Sequence, residues 1–104
     1  MSAVSIMSPG QTAATSTSVT VVSGTPAYLA LYTDVGSPVP DGVSFDVLRQ
    51  TEAGFFVLFY LPVLGRVTLN SEMTVLTLTI PGTYQVVRPN ITEFLVNVGV
   101  EQDS

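Results

Sequence analysis

Turn-forming residues punctuate this chain about every eight to twelve positions from residue 18 onward, the spacing of a β-sandwich or barrel. The turns fall at Gly24-Thr25-Pro26, from Gly36-Ser37-Pro38 through Pro40-Asp41-Gly42, at Glu52-Ala53-Gly54, Asn70-Ser71-Glu72, Pro81-Gly82 and Pro89-Asn90. Gly, Pro, Asn and Asp stop regular structure, each through its own backbone restriction or local hydrogen bond. Between them Val and Thr dominate, and β-branched side chains favour strands over helices. No stretch offers a helical apolar stripe of useful length. The spacing predicts strands near 18–23, 27–33, 43–50, 54–61, 65–69, 73–80, 83–88 and 94–100. Eight strands in so short a chain predict an all-β fold, a small antiparallel β-sandwich of jelly-roll type.

Period-two alternation supports this in two places. Val43, Phe45 and Val47 share one face, with Ser44 and Asp46 opposite; Leu76, Leu78 and Ile80 share one face, with Val75, Thr77 and Thr79 opposite. Residues 55–61 (FFVLFYL) break the rule, because both faces are apolar: Phe55, Val57, Phe59 and Leu61 on one, Phe56, Leu58 and Tyr60 on the other. A thin domain covers one face of a sheet with its own core, so a second apolar face needs another cover. Self-association through Phe55, Phe56, Leu58 and Tyr60 is the economical answer; loops or the N-terminal segment folding back is the alternative. Each large side chain buried there is worth roughly 1.5–3 kcal/mol.

Residues 8–20 (SPGQTAATSTSVT) are rich in Ser, Thr and Ala with no periodic apolar pattern, which sets residues 1–17 apart from the strand-rich remainder. They read as an extended N-terminal arm that reaches a neighbouring subunit, or as a loose tail, ahead of a single domain spanning 18–104. Met1–Gly10 has no positive charge and no continuous apolar stretch, so a secretory leader is not visible and synthesis in the cytoplasm is expected. The most apolar run, 55–64, is about half the roughly 20 residues of a membrane-spanning helix and contains Pro62.

Residue chemistry narrows the function classes. The chain has no His and no Cys, and its three basic residues are all Arg. That removes His or Cys metal sites, disulfides, Ser-His-Asp triads, Cys nucleophiles and Lys Schiff bases. A formal net charge of −5 argues against nucleic acid and anionic lipid as partners. Asp34, Asp41 and Asp46 do not follow a calcium-loop spacing and read as turn and strand-face aspartates. Asn90-Ile91-Thr92 matches a glycosylation acceptor, but without a leader it reads as a turn asparagine. Arg49, Arg66 and Arg88 are expected to pair with cross-strand acids such as Glu52, Glu72 or Glu93, with Arg88 a candidate for an ion pair between subunits. Nothing suggests an enzyme or a cofactor. Only 11% of residues are charged, against about a quarter in ordinary soluble domains, which suits a surface covered by partners.

Ser23-Gly24-Thr25-Pro26 ahead of an early strand, then Pro81-Gly82-Thr83-Tyr84-Gln85-Val86-Val87-Arg88-Pro89 and a closing Gly99-Val100, resemble the plan of small tailed-bacteriophage virion proteins, chiefly over residues 81–100. The resemblance implies a non-enzymatic capsid decoration (cement) protein of the virion, often a trimer, binding the major capsid protein or another virion protein. It also implies an arm gripping its neighbours, here through Met7, Pro9, Gln11 and Thr12. The competing readings are a neck, tail or head-fibre component that binds a receptor or glycan through loops such as 34–42, and a filament subunit that donates Ser18-Val19-Thr20-Val21 to the next subunit's sheet edge.

Overall fold

The computed structural model describes residues 3–103, which form an all-β sandwich of antiparallel sheets. The strands are β1 (Val4–Gly10), β2 (Ala14–Thr15), β3 (Val19–Val21), β4 (Ala27–Thr33), β5 (Ser44–Gln50), β6 (Phe56–Leu58), β7 (Tyr60–Leu61), β8 (Gly65–Arg66), β9 (Thr68–Asn70), β10 (Val75–Leu78), β11 (Gly82–Arg88) and β12 (Val98–Asp103). One sheet has the order β1-β12-β4-β10; the other has the order β2-β11-β5-β6, with β3 also on β11 and β9 also on β5.

The pairings nest. β5 pairs with β6 and β9, β4 with β10, β2 and β3 with β11, and β1 with β12, all antiparallel. That is one long hairpin with its bend between β5 and β6. Two further pairings, β12 with β4 and β11 with β5, roll the hairpin up into two sheets. The result is a jelly roll.

Alternation builds the core. Ala27, Leu29, Leu31 and Thr33 of β4, Phe45 and Val47 of β5, Leu76 and Leu78 of β10, and Tyr84 and Val86 of β11 all point between the sheets and are buried. The patterns read at 43–47 and 74–78 therefore hold, while Ile80 lies past the end of β10 and is exposed. Phe59 meets Tyr84 edge to face, with ring centroids 5.3 Å apart. The Tyr84 hydroxyl donates to the Ile80 carbonyl at 2.6 Å. Burial pushes the Tyr84 phenol above its ordinary range, partly offset by the nearby Arg49 cation.

The N-terminal segment departs from expectation. Residues 4–10 are not a free arm; they form the outermost strand of the four-stranded sheet, and residues 14–15 sit on β11. Ile6 and Met7 are consecutive yet both buried, because a bulge between Ser5 and Met7 turns two neighbours inward. Ser16, also buried, bridges the gap between β2 and β3: its N–H donates to the Val86 carbonyl at 2.8 Å, and its hydroxyl accepts from the Val86 N–H at 2.9 Å. The Thr17 N–H reaches across to the Ile6 carbonyl at 3.1 Å. The domain therefore begins in β1, not at residue 18.

The last strand also shifts. Thr92–Phe94 make a short 3-10 turn that ends at Leu95 with φ 54°, so the strand expected at 94–100 runs instead over Val98–Asp103. Gly99 marks where β1 crosses closest: a Cβ there would stand 2.5 Å from the Met7 carbonyl oxygen and 2.8 Å from the Pro9 nitrogen.

Candidate self-association surface

The run 55–61 is not one continuous strand. β6 pairs with β5 in the register Leu48 to Leu58, Arg49 to Val57 and Gln50 to Phe56. At Phe59 the chain turns inward: its N–H donates to the Val47 carbonyl at 2.9 Å, and its ring enters the core. The chain then leaves β5 as a hairpin, β7 against β8, and returns at Val67, whose N–H donates to the Phe59 carbonyl at 2.9 Å. From there β9 resumes the pairing with β5. Pro62-Val63-Leu64 form the tip, closed by Gly65 at φ 77°, a left-handed conformation that glycine adopts without a Cβ penalty.

Leu61, half-buried, packs on the core and lines a small cavity of about 50 Å³ with Phe59, Leu76, Leu78, Ile80 and Tyr84. The hairpin thus folds towards β10 and closes that side of the sandwich. Its root is tied by Arg66, which donates from Nε to Asp46 Oδ1 at 3.1 Å and forms an ion pair with the same oxygen through its terminal nitrogen. The Asp46 carboxylate raises the Arg66 pKa through that hydrogen bond and its charge.

The remainder of the run faces solvent. Phe55 is 71% exposed, Tyr60 59%, Val63 95% and Leu64 71%; Val57 and Leu58 are exposed, and Phe56 is half-buried. Residues 53–65 contain no charged side chain. Of the four residues singled out from the sequence, Phe55, Leu58 and Tyr60 are exposed and Phe56 is partly covered. Val57, Val63 and Leu64 belong to the same surface. Their signal was the uncharged run itself, which continues past Tyr60 to Gly65. A groove of about 250 Å³ runs beside β6, lined by Arg49, Gln50, Thr51, Val57, Leu58, Phe59 and Tyr60.

The other residues read from the sequence serve the fold. Met7 is buried in the core, and Pro9 is half-buried beside Gly99. The Gln11 carbonyl accepts from the Ile91 N–H at 2.7 Å. The Thr12 carbonyl accepts from Arg88 Nε at 2.7 Å, although the Thr12 side chain is exposed. Among the described residues Arg88 pairs with no acid: it is buried, and Nη1 donates to the Ser8 carbonyl at 2.9 Å and the Val98 carbonyl at 2.8 Å. Burial lowers its pKa. It clasps the N-terminal segment and β12 together from within one chain, so the ion pair between subunits is corrected to an internal clasp. Arg49 donates to the Pro81 carbonyl at 2.9 Å. The one salt bridge among the described residues is Arg66 with Asp46, so none of Glu52, Glu72 and Glu93 takes the expected arginine.

Asp34, Asp41 and Asp46 are dispersed: Asp34 accepts from the Asn97 amide at 2.8 Å, Asp41 from the Ser71 hydroxyl at 3.0 Å, and Asp46 from Arg66. Among the described residues no group of three or more acids is placed to hold a metal ion. Asn90 caps its own turn, its Oδ1 accepting from the N–H and hydroxyl of Thr92. The segment proposed as a donated strand is occupied at home, with Val19, Thr20 and Val21 paired to Tyr84, Thr83 and Gly82 of β11. No helix among the described residues is long and apolar enough to cross a membrane. Family models and curated proteins alike offer no match to this chain.

Proposed function

We propose that this chain is a non-enzymatic structural protein that works by adhesion, a building block of a virus particle of the capsid-decoration type. The observation that carries the reading is the uncharged run 53–65, which holds Phe55, Tyr60, Val63 and Leu64 in solvent on the edge of a sheet. Apolar patches of this kind, uncovered on one molecule, mark interaction surfaces. Edge strands usually carry Lys, Pro or inward charges that prevent pairing, and β6 carries none of these. The jelly roll recurs in viral shells and in lectins, so the fold supports the reading by analogy alone.

Adhesion is assigned to β6 and the 60–66 hairpin rather than to the N-terminal segment, which is part of the fold. The test is quantitative mass spectrometry of purified particles from the source. A copy number similar to that of the main shell protein supports decoration. A few copies per particle would move the chain to a neck, tail or fibre, and absence from particles overturns the reading.

A further inference from the structure

The hydrogen bonds of β6 define how a second copy fits. In an antiparallel pair, directly opposed residues alternate between those that exchange both hydrogen bonds and those that exchange none. Phe59 donates to Val47, and Thr51 donates to the Phe55 carbonyl at 2.7 Å. The Phe55 carbonyl, the backbone groups of Val57 and the Phe59 N–H are therefore directed at β5, while the Phe59 carbonyl accepts from Val67. Phe56 and Leu58, opposite Gln50 and Leu48, direct theirs away from it, along the open edge of the sheet. This pattern is self-complementary. A two-fold axis at Val57 sets Phe56 of one copy against Leu58 of the other, twice, and each of these pairs exchanges two hydrogen bonds.

We propose that β6 is the two-fold contact of a homodimer in which the two six-stranded sheets become one, with Val57 facing Val57. This rests on the self-association reading above and gives it a register. In that register Phe55 of one copy lies opposite Phe59 of the other, on the face where the groove beside Val57 and Tyr60 opens. Phe55 is 71% exposed in the single chain, and this groove receives it. Charge also favours a second copy here. Two chains of net charge −5 repel over most of their surfaces, yet this edge has no charged residue between 53 and 65, and Arg66 beyond it is neutralised by Asp46 within the chain. A two-fold contact makes the unit a dimer rather than the trimer that the resemblance implied.

The chain has no cysteine, so a single engineered thiol reports unambiguously. Val57 facing Val57 is a pair without mutual hydrogen bonds, whose Cα separation of about 4.5 Å suits a disulfide. Under mild oxidation Val57→Cys is expected to give covalent dimers, while Val75→Cys, exposed on the edge of the other sheet, stays largely uncrosslinked. Leu58→Pro removes an N–H that β5 does not use, so the chain keeps its strand circular dichroism while its dimer dissociation constant rises at least tenfold. Self-association by mass without preferential Val57→Cys crosslinking overturns this register and leaves the adhesion reading standing. A chain that stays monomeric at millimolar concentration overturns the dimer and the self-association it rests on, while the particle copy number decides the adhesion reading separately.

Discussion

Two edges of this sandwich are built in opposite ways. At the β1 edge the chain covers itself: Ile6 and Met7 enter the core, Gly99 lets β1 cross β12 closely, and Arg88 holds the carbonyls of Ser8, Thr12 and Val98. At the β6 edge it does the reverse, sending the covering segment off as a hairpin and leaving Phe55, Val57, Leu58 and Tyr60 in water. Polar chemistry is placed where the fold needs a clasp, and apolar surface where nothing in the chain covers it. The β1 edge serves stability and the β6 edge serves contact.

Removing residues 1–17 breaks the comparison most severely. An arm would come off and leave a folded domain, but β1 and β2 are strands of the roll, so the truncated chain is expected to lose cooperative unfolding. Denaturant titration followed by circular dichroism checks this. Arg88→Met comes next: three carbonyls lose a charged donor in a buried setting, and a loss of about 3 kcal/mol is expected in the same titration. Gly99→Ala presses a methyl group onto the Met7 carbonyl, with an expected loss of about 2 kcal/mol, read as a lower denaturation midpoint.

Tyr84 gives the smallest effect and a pH signature. Its pKa is raised in the folded chain, so the folded state holds the proton more tightly than the unfolded one. The stability this contributes is complete below the unfolded value of about 10 and is lost as pH rises through the higher folded value. Tyr84→Phe is expected to cost about 1 kcal/mol at neutral pH through the lost bond to Ile80. It should also flatten the decline in stability above pH ~10, measured by denaturant titration at stepped pH.

The legible parts of the fold are those where alternation is uninterrupted. β4 lies over 27–33 as read, and Val43, Phe45 and Val47 are buried as their spacing required. β1 was hidden because its bulge puts Ile6 beside Met7, destroying the period of two, and because Pro9 and Gly10 look like turn residues. The break at Phe59 was hidden for a related reason: a run apolar on both faces does not say which residue turns inward. Arg88 could not be read at all, since its partners are backbone carbonyls from residues 8, 12 and 98, and carbonyls have no sequence signature. The apolar edge was legible because absence of charge over thirteen consecutive positions, 53–65, is visible without knowing the fold.

Sedimentation velocity over a range of concentrations, on the natural chain and on Phe55→Asp, tests the division between the two edges most directly. Phe55 is mostly in solvent, so the substitution leaves folding stability within about 0.5 kcal/mol of the natural chain. The account predicts that the natural chain sediments as an oligomer and that Phe55→Asp sediments as a monomer of equal stability. Equal oligomeric mass for both chains, or a single-chain mass for the natural protein at every concentration, would contradict it.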